Sequence, residues 1–347
     1  MPTYYRFFYV VLMIEVLLLA GCLSAIIAMR LGRMWTTRRS KESRKALSDR
    51  IVEVMQGQKE LAPALFPKSW MRFEDLLHVT EQFASRFADV QWEEIKQFFL
   101  KEYLFPRALR DAHSVHWTHR NLAARVFALQ PLREHEEVIL SLLEDSLYLV
   151  RSVAAFSASR LESYRAVYAV LKRMSLEPGF ARCLYRDALM QGSKATRQFI
   201  EEVAAKEPDP HIHLVCLDIL ASRMTPTLMP LIRRDLFSPD PDIRLAALKI
   251  LAQNPDEEFL KETTQSLRDP SPAIRAAAAE ILGTHMRQEA ATALASTLKD
   301  GEWSVRVQAA LALRKMGAIG QRILSLQDSD IDPAAYEAAQ YVLSLPE

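Results

Sequence analysis

Three histidines, His113, His116 and His119, stand three residues apart, a spacing that could bring imidazoles to one helical face as metal ligands. No Cys, Asp or Glu pattern completes the set, and the triplet crosses a loop-to-helix start just before Trp117. Capping and surface roles are therefore expected, as for His211 and His213 at a similar start. Cys22, Cys183 and Cys216 have neither metal nor redox spacing, and reduced thiols are the plain expectation. The chain has no glycine-rich phosphate loop, no nucleophile elbow and no His-Glu-x-x-His run. No catalytic residue, cofactor, metal or small-molecule substrate is thus expected, and the chain is read as a non-enzyme.

The most regular chemistry belongs to arginine. Arg120, Arg151, Arg182, His213, Arg244, Arg275, Arg306 and Glu337 fall at one fixed spacing of 31 residues. One residue earlier the column is apolar (Val150, Ile212, Ile243, Ile274, Val305), three later it is small (Ala123, Ala154, Cys216, Ala247, Ala278, Ala309), and seven later it is apolar again. Those offsets share one helical face, so each marker lies on an amphipathic helix in a repeat array. Asp209-Pro210, Asp240-Pro241 and Ser271-Pro272 supply capping residues followed by proline at the first helical position. A second apolar helix fits between markers, ending near Leu143, Met174, Leu236, Leu267 and Leu298. Each repeat is then a pair of short antiparallel helices.

The Asp-Pro-x-x-x-Ile-Arg-x-x-Ala-Ala pattern resembles HEAT repeats, in the short form of the HEAT-like repeats of phycobilin lyases. The resemblance covers residues 113–347 and is best over 207–316. It implies an all-α, right-handed α-α superhelical solenoid. It also implies that an Asp six residues before the Arg joins neighbouring repeats in a ladder. Asp145, Asp269 and Asp300 fit that place beside Arg151, Arg275 and Arg306, while Arg244 has Ser238 there with Asp240 nearby. A structural ladder is favoured over ligand binding by these arginines.

Residues 7–29 form an apolar run with one charge, Glu15, long enough to cross a bilayer core of about 30 Å. Arg30, Arg33, Arg38, Arg39, Lys41, Arg44, Lys45 and Arg50 follow it. The positive-inside bias then predicts a single-pass inner-membrane protein with its C-terminal array in the cytoplasm. A rival is a lipoprotein cleaved before Cys22 at Leu19-Ala20-Gly21-Cys22, opposed by the continuing apolar run and the basic cluster. An ionisable group in a span costs about 2.5–3.5 kcal/mol. Glu15 either meets a partner's transmembrane helix or reaches the headgroups.

The expected organisation is a flank at 1–6, a transmembrane helix at 7–29, a basic juxtamembrane helix or stalk at 30–60, an aromatic-rich helical cap at 61–112 and the array at 113–347. Formal net charge is +1, which argues against a nucleic-acid partner. Five residues after the markers, on the expected inner face, come Arg125, Phe156, Asp187, Asp218, Lys249 and Glu280. This column changes sign repeatedly, so it lacks the basic stripe that a HEAT-like DNA glycosylase would need. No bilin site is legible for a chromophore lyase. The function expected is a membrane-anchored scaffold whose solenoid binds a protein. An integral membrane partner, such as an envelope polysaccharide glycosyltransferase or export assembly, fits that expectation. Its contacts would be Glu15 and the inner-face column, and a periplasmic assembly factor is the alternative.

Overall fold

The computed structural model describes residues 3–66, 71–285 and 288–346, with side chains at 3–12, 14, 16, 32, 33, 36 and 288 left aside. Among the described residues the regular structure is all helical. Two compact units divide the chain, Met1–Ser157 and Ala158–Glu347.

In the first unit, α1 (Thr3–Met55) is one continuous helix, followed by α2 (Phe73–Ala84), α3 (Val90–Phe99), α4 (Phe105–Asp111), α5 (Trp117–Leu129), α6 (Glu136–Leu143) and all but the last two residues of α7 (Tyr148–Ser159). The far end of α1 packs rather than projects: Leu47 and Ile51 are buried, and Arg44 Nε donates to Asp75 of α2 at 2.7 Å. Ser40 shares the same carboxylate oxygen. The aromatic-rich stretch makes a core of its own. Phe66 meets Phe99 edge-on at 4.9 Å, Phe83 lies 5.3 Å from Trp92, and Phe66, Phe99 and Trp92 are all buried.

The expected membrane span over 7–29 is overturned: among the described residues no helix is long and apolar enough to cross a membrane. The described side chains of α1 explain this. Its uninterrupted apolar stretch runs from 17 to 29, bounded by Glu15 and Arg30. At 1.5 Å per residue that is about 20 Å, short of a core of roughly 30 Å. The start of the run, and the flank at 1–6, lie outside the residues whose side chains are described. The single-pass inner-membrane location falls with the span, and an integral membrane partner loses the anchor from which it was inferred.

The second unit continues in pairs. It holds α8 (Tyr164–Leu176), α9 (Gly179–Met190), α10 (Lys194–Lys206), α11 (Pro210–Ala221), α12 (Met229–Asp235) and α13 (Pro241–Gln253). Then come α14 (Phe259–Ser266), α15 (Pro272–Thr284), α16 (Ala291–Thr297), α17 (Trp303–Lys315), α18 (Ala318–Ser325) and α19 (Pro333–Ser344). The small-residue column sets how closely the marker helices approach. Ala278, Ala279, Ala309 and Ala312 are buried, and a Cβ placed on Gly283 of α15 would lie 2.6 Å from the Ala312 Cα of α17. Leu282, Leu294, Leu298 and Leu313 fill the core around that contact.

Helix starts follow the expected chemistry with one difference. Asp209 accepts from the His211 amide at 2.9 Å, and Asp240 from Asp242 at 2.8 Å, each with proline opening the helix. Ser271 makes no side-chain cap bond. There the ladder residue shapes the turn instead, Asp269 Oδ1 accepting from the Ser271 amide at 2.8 Å.

Candidate binding surface on the repeat array

Each complete rung joins two registers through one guanidinium. Arg244 donates from Nε to Asp269 Oδ2 at 2.8 Å and from Nη2 to Oδ1 at 2.9 Å. Its Nη1 meanwhile donates to the carbonyls of Ser238 and Pro239, six and five residues before it, at 2.8 and 3.1 Å. Arg275 repeats the arrangement with Asp300 at 2.7 and 2.8 Å and the carbonyls of Asp269 and Pro270. Arg120 does so in the first unit with Asp145 and the carbonyls of Ser114 and Val115. The carboxylate is therefore held by the arginine of the preceding register, 25 residues back, while the arginine of its own register takes its backbone carbonyl. The planar fork of arginine suits this two-sided duty, which a lysine ammonium would not fill.

The ionisation of these groups follows from the geometry. Arg275 holds the Asp300 carboxyl below the usual carboxylate range, against the opposing pull of burial. At Asp269 and Asp145 burial pushes upward, and the arginine bonds together with the turn amides outweigh it, leaving both lowered.

Four registers depart from the pattern. Leu176, Glu207 and Ile331 stand in the aspartate column 25 residues after Arg151, Arg182 and Arg306, and Arg182 donates instead to the carbonyls of Glu177 and Ser175 at 2.9 and 3.2 Å. Arg151 and Arg306 keep their bonds to the carbonyls of Asp145 and Ser146 and of Asp300 and Gly301. The fourth departure is His213, whose Nε2 shares a 2.7 Å hydrogen bond with Asp235 Oδ2, both side chains buried. That bond spans 22 residues rather than 25, so the aspartate column did not disclose it. The signal in the sequence was the coincidence of His for Arg at 213 with Ser for Asp at 238.

The inner-face column is not a uniform surface. Arg125 is tied within its own unit, Nε donating to Glu81 Oε1 of α2 at 2.9 Å and Nη2 to Oε2. Phe156 is half-buried, whereas Asp187, Asp218, Lys249 and Glu280 are exposed. Asp218 lies 3.6 Å from Arg186 in a solvent-facing ion pair. Glu15 is exposed on α1. His116 and His119 stack edge-on at 5.6 Å, with His119 Nδ1 3.3 Å from Ser114 Oγ. Among the described residues no group of three metal-ligating side chains is placed around one point. Cys216 is buried in the small-residue column, and burial pushes its thiol up to about 12.

Large apolar side chains stand out at the helix-start loops of the second unit. Leu176, Phe180, Phe237, Trp303 and Ile331 are exposed, Phe180 at 82% and Phe237 at 71%. Beside Phe237 lies a groove of about 730 Å³ between the loops at 207–210 and 237–241, floored by His213 and Asp235.

Stacked helix pairs tied register to register by arginine and aspartate define an α-solenoid built of repeats. Residues 260–341 match the family model described as HEAT repeats. No curated protein sequence matches the chain. Among solved structures, an Escherichia coli protein, YibA, is 16% identical across 74% of this chain and 98% of its own, with a TM-score of 0.37. Human deoxyhypusine hydroxylase is 15% identical across 72% and 98%, TM-score 0.29. The CpcE–CpcF complex of phycocyanin lyase from Nostoc sp. is 18% identical across 83% and 99%, TM-score 0.25.

Proposed function

We propose that the chain is a protein-binding scaffold rather than an enzyme. The observation that carries this reading is the set of exposed large side chains at the helix-start loops of the second unit, Phe180 and Phe237 foremost. The ladder spends its polar groups on joining registers, and the core needs none of these aromatics. Exposed aromatic anchors beside polar residues are the composition of binding hot spots. The exposed column of Asp187, Asp218, Lys249 and Glu280 adds charges of both signs, suited to a partner surface of matching pattern.

The test is recovery of a stoichiometric partner on the tagged full-length chain, followed by reconstitution from purified components. Phe180→Asp should weaken the reconstituted complex at least about tenfold, as loss of a hot-spot aromatic does. Failure to recover any partner, or equal affinity in the variant, defeats the proposal. An enzymatic function would instead show as an activity abolished by Asp187→Asn, Asp218→Asn or Glu280→Gln with the complex intact.

A further inference from the structure

The rung at His213 departs from its siblings in three ways at once. Where Arg244 and Arg275 place a guanidinium on two loop carbonyls, the equivalent carbonyls here belong to Glu207 and Pro208. Among the described residues no guanidinium donates to either, because the column residue is the shorter His213, turned to Asp235. Ser238 replaces the cross-register aspartate, so the loops are not bridged at that place. Phe237 occupies a column that holds Lys206, Arg268 and Lys299 in neighbouring registers, and it stands exposed at the rim. Arg234, which lines this place, is already engaged: its Nη1 donates to the Ala205 carbonyl at 3.0 Å, and its Nη2 donates to Asp235 Oδ1 at 3.0 Å.

What remains is a groove of about 730 Å³, within the range of ligand sites, between two proline-bearing loops. Its lining includes the carboxylates Glu207, Asp235 and Asp240 and the Arg234 guanidinium, which is paired with Asp235, while Arg244 of the next register donates to the Ser238 and Pro239 carbonyls of the second loop. Asp235 and His213 are each only 4% exposed, so the floor is a fixed hydrogen-bonded pair. In sibling registers the chemical group seated on these carbonyls is a guanidinium. We propose that the groove at His213 takes an arginine side chain from an extended basic segment of a partner protein. The guanidinium would meet the Glu207 and Pro208 carbonyls and the acidic wall. The aliphatic stem and the flanking residue would pack on Phe237, whose ring face also attracts a cation. The inference rests on the scaffold reading and gives the partner its chemistry.

The experiment titrates the full-length chain with Nα-acetyl-arginine methylamide and with the lysine and norleucine analogues, following histidine ring resonances by NMR. The arginine probe should bind at least tenfold more tightly than norleucine and shift the His213 ring. His213→Arg supplies the guanidinium from within and should weaken the probe at least tenfold. Phe237→Lys lies on the exposed rim, leaves the core intact, and restores the column's usual cation, so it should weaken the probe as well. Equal binding of the arginine and norleucine probes, absence of arginine binding, or wild-type affinity in both variants overturns the proposal. A partner held equally well by wild type and both variants would remove the groove while leaving the scaffold reading standing. Arginine binding at His213 without a recoverable partner would do the reverse.

Discussion

A carboxylate in the ladder has three attachments: the fork of the preceding arginine, an amide two residues on, and its own carbonyl's bond to the next arginine. Asp269→Asn keeps the shape but leaves Arg244 half-buried without its counter-charge, and should cost about 2 kcal/mol, the worth of charge-assisted hydrogen bonds. Chemical denaturation of the two proteins measures it, and Glu280→Gln on the exposed column should change stability by less than about 0.5 kcal/mol. The same bonds set a pH dependence. Asp145, Asp269 and Asp300 have lowered folded pKa values, so their contribution is complete above the ordinary carboxylate range near 4 and is lost as pH falls through the folded values. His135 acts higher on the scale. It is buried against Phe105 and Phe127, with ring centroids 4.6 and 5.2 Å away, and burial lowers its pKa. The unfolded chain therefore takes up a proton first, and stability declines as pH falls below about 6.5. His135→Phe should flatten that decline between pH 6.5 and 5, and a curve unchanged from wild type would remove His135 as its source. Cys216 and Cys183 differ just as plainly: native protein at pH 8 should alkylate at exposed Cys183 at least about tenfold faster than at buried Cys216, whose thiol is pushed to about 12.

At the scale of the element, the marker helices approach one another by keeping small residues where they touch. Gly283→Ala is the sharp case, because propensity and packing disagree. In an isolated helix the change would stabilise by about 1 kcal/mol. Here the new Cβ would fall 2.6 Å from the backbone of Ala312, and overpacking costs about 1–3 kcal/mol. A lowered melting temperature is expected, whereas Gly179→Ala at the start of α9, with no atom within 4 Å of its Cβ, should raise it or leave it unchanged. The paired helices and their spacing were legible because a fixed period writes the same faces again and again. Ile243, Ile274 and Val305 mark a buried face, and Ala247, Ala278 and Ala309 mark the contact. The direction of the ladder bonds was not legible. A side chain long enough to span registers can meet the carboxylate of either neighbour, and sequence offset alone does not choose. The His213–Asp235 pair and the Arg125–Glu81 pair lie off the period altogether, so only the folded geometry joins them. The apolar run of α1 misled for a different reason. Hydropathy counts residues, while a bilayer demands a continuous length, and the stretch between Glu15 and Arg30 falls short of it.

For the molecule as a whole, a repeat array has near-neighbour energetics: each register touches the next, and its stability approximates a sum of repeats and interfaces. The ladder makes those interfaces discrete, since Arg275 binds the α14–α15 loop and the α16–α17 loop and reaches no further. Arg275→Ala should therefore act locally. Amide exchange by mass spectrometry should accelerate in peptides covering α13–α17, where the severed rung lies, while peptides from α2 to α5 in the first unit keep their wild-type protection. The Asp300 carboxylate would lose its partner as well, and Asp300→Ala added to Arg275→Ala should cost less than the two single changes summed, because both remove one shared interaction. Uniform loss of protection across both units would instead mean that the chain opens as one cooperative body. In that event the rung would be part of a global network, and the tolerance of the array for a departure such as His213 would need another cause. Local acceleration would mean that single registers can be altered without unfolding their neighbours, which is the condition for one register to carry a binding groove while the rest hold the frame.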